Sequence, residues 1–93
     1  MRRLMPNEKK LVGQWIVINK KVEGDKVCQR IKYLIANCLE KVGLSEDGWE
    51  KLYRDKFDGR YWELTYPQSE MHGGGPPSLI NFGEEEAKRK YRL

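Results

Sequence analysis

The sequence predicts an α+β fold: a small, mostly antiparallel sheet with one amphipathic helix packed on a face and a short C-terminal helix. Three observations carry that expectation. Apolar residues recur at helical spacing through residues 25–42. Asp58-Gly59 divides two aromatic-rich runs, as a hairpin turn does. Strand-like runs at 11–18 and 78–82 are reached by short connections, which suit antiparallel pairing.

Taken in order, LVGQWIVI (Leu11–Ile18) is rich in β-branched and aromatic residues and reads as one strand. Asn19-Lys20 turns it back into a short strand at Lys21–Glu23, asparagine being the residue of the two that better tolerates positive φ. Asp25 is placed as an N-cap. From there Val27, Cys28, Ile31, Leu34, Ile35, Cys38, Leu39 and Val42 occupy a helical arc of about 140°. Gly43 is read as the stop of a helix running from Asp25 to about Val42. GWEKLYRDKFDGRYWELTYP (Gly48–Pro67) follows as the hairpin. With Asp58-Gly59 as a two-residue turn, Arg54 falls opposite Glu63, and Tyr53, Trp62, Leu64 and Tyr66 share one face. SLINF (Ser78–Phe82) is a further strand. The last helix carries three glutamates early and Lys88, Arg89 and Lys90 late, matching the helix dipole, with Ala87 and Tyr91 as anchors.

The 93 residues are read as a single domain, with residues 1–9 a flexible lead. Hydrophobic residues make up 39% and charged residues 34%, a globular balance rather than a disordered one. The start, MRRLMPNEKK, has no apolar stretch behind its charges, and no run spans a bilayer, so the expected location is cytoplasmic, away from membranes. Cys28 and Cys38, about 15 Å apart along one helix, are too distant to bridge there and are expected buried and reduced.

Net charge is +4, unevenly spread: residues 1–45 carry ten basic and four acidic side chains, and residues 46–72 four basic and seven acidic. The basic half admits a small nucleic-acid-binding module as an alternative function. RYWELTY supplies the aromatics and arginine of a stacking platform, but Glu63 sits among them in a net acidic segment that repels phosphate.

Catalytic and metal chemistry find little purchase. Two helical cysteines and one histidine lack zinc-site spacing, so no metal and no cofactor is expected. Both cysteines lie in the apolar arc, away from a nucleophile's position beside His72. Three glycines running into Pro76-Pro77 are neither a phosphate loop nor a dinucleotide fingerprint, since the prolines remove amide donors. The carboxylates Asp47, Glu50, Asp55, Asp58 and Glu63 read better as a solvated hairpin face than as an acid–base pair. The chain is therefore read as no enzyme. An acidic, aromatic-bearing hairpin followed by an irregular glycine–proline loop suits protein recognition.

LVGQWIV, GDKVCQRI, GWEKLYRD and above all DGRYWELTYPQSEMHGGGPPSLI resemble the bacterial immunity protein 27 family, over about Lys10 to Tyr91. One local departure is Gly83, where the resemblance implies a serine-like N-cap. The resemblance implies a small cytoplasmic antidote that binds the C-terminal domain of a polymorphic or contact-dependent toxin, in many such systems a nuclease. Net charge alone predicts at most weak, salt-sensitive binding to nucleic acid, so no specific nucleic acid partner is expected. A monomer is favoured. Charge places the toxin-facing surface on the acidic hairpin and the loop after it, at Asp55, Asp58, Glu63, Glu70, Met71 and His72.

Overall fold

The computed structural model describes residues 2–68 and 74–93. These form β1 (Lys10–Val12), β2 (Trp15–Ile18), β3 (Lys21–Gly24), α1 (Lys26–Asn37), β4 (Leu39–Leu44), β5 (Lys51–Asp55), β6 (Tyr61–Thr65), β7 (Ser78–Phe82) and α2 (Glu84–Tyr91). The fold is α+β, as the sequence predicts. A five-stranded antiparallel sheet has the order β1-β7-β6-β5-β4, and β2–β3 form a separate two-stranded hairpin.

The run expected as one strand, Leu11–Ile18, is two. The Gly13 amide still donates to the Pro77 carbonyl in register with the β1–β7 ladder, but Pro77 has no N–H to return; one residue on, the Gln14 carbonyl accepts from the Asp25 amide in register with β2–β3. The chain thereby passes from the main sheet into the hairpin. Asn19 and Lys20 both take positive φ, 51° and 66°, the requirement of a two-residue turn matched to strand twist.

α1 begins where expected: the Asp25 carboxylate accepts from the Cys28 amide at 2.9 Å. It ends five residues earlier than the apolar period suggests, at Asn37 rather than Val42. The Asn37 side-chain amide donates to the Tyr33 carbonyl, and the Cys38 amide closes the last turn on Leu34. Leu39–Leu44 is instead the edge strand β4. Its bulge between Lys41 and Gly43 disrupts the strand alternation, leaving a spacing that also fits a helix. Gly43 is not a helix stop. A Cβ there would come within 2.8 Å of the Tyr91 ring, so its bare backbone lets α2 approach the sheet.

The β5–β6 register differs from the expected one by two positions. Tyr53 pairs with Trp62 rather than Leu64, and Glu63 faces Leu52 rather than Arg54. The connection is the longer loop 56–59, closed by the Asp55 amide on the Arg60 carbonyl and the Gly59 amide on the Asp55 carbonyl. A two-position shift preserves the faces, because strand side chains alternate with period two. Tyr53, Trp62 and Leu64 therefore still meet Ile31 and Leu34 of α1 in the core, with Leu4, Leu11, Leu39 and Leu79. Ile31 and Leu34 are fully buried, each contributing about 1.5–3 kcal/mol of transfer free energy. Leu52, Gly43 and Glu63 fall on the other face, which α2 covers through buried Ala87 and half-buried Tyr91. Gly83 starts α2 with a partial cap: its amide donates to Glu86 at 3.2 Å.

Residues 2–9 form a strap held by several contacts. Leu4 is buried. Arg30 forms two bonds to the Glu8 carboxylate, at 2.6 and 2.7 Å, and also donates to the carbonyls of Arg2 and Arg3. Arg60 donates to the carbonyls of Met5 and Glu8. At the far end of the sheet, Gly75 takes a φ of +79°. A Cβ on it would collide with the Gln68 carbonyl, so this glycine of the Gly–Pro run is required for both conformation and close approach.

Candidate partner-binding surface

Three of the six residues expected at the surface can be placed, and they do not converge. Asp55 ends β5 and is 1% exposed. One of its oxygens accepts from the Phe57 amide at 2.8 Å, bracing loop 56–59. Asp58 remains exposed within that loop but is engaged: it accepts from the Arg60 amide at 2.9 Å and from Arg60 Nε at 2.8 Å. Partial burial opposes ionisation, yet these bonds hold the Asp58 carboxyl below its ordinary range. The Arg60 guanidinium also lies 5.0 Å above the Trp62 ring, joining the loop to the core. Glu70, Met71 and His72 lie outside the described residues.

Glu63, expected on a solvated face, is 4% exposed under α2. The Tyr91 hydroxyl donates to it at 2.7 Å, and Lys90 Nζ lies at 2.7 Å. Lys90 also reaches Glu50 at 2.8 Å. Burial lowers the Lys90 pKa, but bonds to Glu50 and Glu63 outweigh it and hold the ammonium charged. Burial first, then the Glu63 carboxylate, push the Tyr91 phenol upward. Glu63 therefore joins α2 to the sheet. The one-dimensional charge count missed this: part of the acidity of 46–72 is met in space by cations from the C-terminal segment, including Arg92, 3.1 Å from Glu46.

Charge counting also passed over the exposed apolar side chains. The β2–β3 hairpin presents Ile16, Val17, Ile18 and Val22. Phe57 is exposed in its loop, with the Arg3 guanidinium 4.7 Å from its ring centroid. Trp49, 63% exposed, projects from a hydrogen-bonded loop between β4 and β5. There the Ser45 hydroxyl donates to Asp47 at 2.6 Å, the Trp49 amide donates to the same carboxylate at 3.0 Å, and the Glu50 amide donates to Ser45 Oγ at 3.0 Å. Those bonds hold the Asp47 carboxyl below its usual range. Asp47, Trp49, Glu50, Thr65 and Tyr66 line a shallow hollow of about 260 Å³. A tryptophan held beside a loop glycine, outside any apolar period, was the available sequence signal.

Cys28 and Cys38 are free and buried, Cys38 lying just after α1 rather than within it. Burial raises the Cys28 thiol pKa. Among the described residues, no group of three His, Cys, Asp or Glu side chains is placed to hold a metal ion, and no helix is long and apolar enough to cross a membrane. The model of the family described as Immunity protein 27 matches residues 17–82, a span from the β2–β3 hairpin to the end of β7. Neither a curated protein nor a solved structure matches the chain.

Proposed function

Because the chain belongs to the immunity protein 27 family, we propose that it is an antidote that neutralises a cognate bacterial toxin domain by binding it, without catalysing a reaction. The family match over residues 17–82 is the observation that carries this reading. The partner is the C-terminal domain of a polymorphic or contact-dependent toxin, met in the cytoplasm of the producing cell, and a nuclease activity for it is one case the reading includes. Asp58, Glu70, Met71 and His72 belong to the contact surface, while buried Asp55 and Glu63 act beneath it as scaffold. Exposed aromatics on fixed loops support the reading, since binding energy at protein interfaces concentrates in such anchors.

The test is co-expression with the toxin domain encoded by the neighbouring upstream gene. The expected results are a complex that survives purification and restored growth of toxin-exposed cells. A folded protein that neither binds that domain nor protects would overturn the proposal. Tight, sequence-selective DNA or RNA binding at physiological salt would instead favour the nucleic-acid module.

A further inference from the structure

The hollow beside Trp49 has the chemistry of a receptor for a cationic side chain. Two of its lining residues, Trp49 and Tyr66, are aromatic, and two, Asp47 and Glu50, are carboxylates; none of its lining residues is a cation. A guanidinium is suited to both kinds of wall, stacking on an aromatic face and pairing with a carboxylate. The loop is built before any partner arrives: Ser45 Oγ and the Asp47 carboxylate together satisfy the hydroxyl and amide donors that fix Trp49.

The local charge favours the same occupant. Lys90 already occupies one oxygen of Glu50, and Thr65 donates to the other at 3.3 Å, so Glu50 is largely spent. Asp47 is not: both of its hydrogen bonds fall on one oxygen, Oδ1. Among the described residues, Lys90 pairs with Glu50 and Arg92 with Glu46, while Asp47 has no ion-pair partner within 4 Å. A lone exposed hydrophobic residue needs no explanation. Here, however, an exposed tryptophan, a second aromatic and a carboxylate with a free oxygen border the same hollow.

Resting on the antidote reading above, we propose that this hollow seats an arginine side chain of the toxin domain, with Trp49 stacking on the guanidinium and Asp47 pairing with it. The contact lies at the end of the β5–β6 hairpin away from the Asp58 loop, so it adds an anchor to the surface expected from charge alone.

The experiment measures binding kinetics with the upstream toxin domain, using circular dichroism to establish that each variant is folded. Trp49→Ala is expected to weaken binding by about 30-fold or more, the loss typical of an interface hot spot. Asp47→Asn keeps an oxygen for Ser45 and Trp49 while removing the charge, and is expected to slow association and flatten its dependence on salt. Gln29→Ala, on the exposed face of α1 and outside the hollow, should change affinity less than threefold. Replacing in turn each surface arginine of the toxin domain with alanine should identify one whose loss is non-additive with Trp49→Ala and with Asp47→Asn. Wild-type-like binding by folded Trp49→Ala and Asp47→Asn, while the wild type itself binds tightly, overturns the arginine seat and leaves the antidote reading standing. Absence of binding by the wild type overturns the antidote reading itself.

Discussion

Replacing Glu8 with glutamine removes one charge from the strap that holds residues 2–9. In the folded protein the Glu8 carboxyl titrates at about 2 instead of its ordinary 4.5. Hydrogen bonding from Arg30 is the main cause; partial burial opposes it, and the Met5 amide and the Arg30 and Arg2 charges add to it. Taken whole, that depression corresponds to about 3 kcal/mol of folding free energy. The two side chains keep 15% and 18% of their exposure, and solvent screening reduces the contribution toward about 1–2 kcal/mol. In a domain of this size the glutamine variant should then melt about 4–15 °C lower at pH 7. A depressed carboxyl stabilises the fold above its unfolded pKa, and that stabilisation fades as pH falls through the folded value. The gap between the two proteins should therefore be full above about pH 5 and close between 4.5 and about 2. Thermal unfolding followed by circular dichroism across that range measures it. The difference isolates Glu8, because the other carboxylates titrate alike in both proteins. Equal melting temperatures at pH 7, or a gap that persists unchanged to pH 2, would refute the argument.

Three further outcomes are expected. Lys90→Met leaves buried Glu63 with only the Tyr91 hydroxyl and should cost about 1–3 kcal/mol in urea unfolding; an unchanged midpoint would show that α2 is not held through this pair. Gly75→Ala forces a Cβ into positive φ and against the Gln68 carbonyl, so its loss should exceed the strain alone, about 1–2 kcal/mol; a neutral result would place Gly75 in a different conformation. Cys28 and Cys38, 2% and 4% exposed, should react slowly with a thiol reagent until denaturant is added; rapid native labelling of both would contradict their burial.

Much of the architecture is legible because local and long-range preferences agree. Ser78–Phe82 and the helix after Gly83 stand where composition places them, and the core face of Tyr53, Trp62 and Leu64 survives a wrong register because period two is insensitive to a two-residue shift. Leu39–Leu44 is illegible for the opposite reason: its bulge gives apolar spacings that serve a helix as well as a strand. The surface is harder still. Glu63 looked solvent-facing because the residues that bury and neutralise it, Lys90 and Tyr91, lie nearly thirty positions away in sequence. Asp55 looked like a surface acid, whereas a turn that needed an acceptor for the Phe57 amide drew it inward.

The strap across residues 2–9 is gripped mainly by its backbone. Arg30 and Arg60 hold the carbonyl oxygens of Arg2, Arg3, Met5 and Glu8, groups that every amino acid carries. Side chains hold it at three described positions: Leu4 through burial, Glu8 through its carboxylate, and Arg3 through its guanidinium over the Phe57 ring. The segment's spelling can therefore drift at Arg2 and Met5 while its path is inherited intact. Two arginines outside the segment carry the memory of that path, so sequence divergence there is a poor guide to structural divergence.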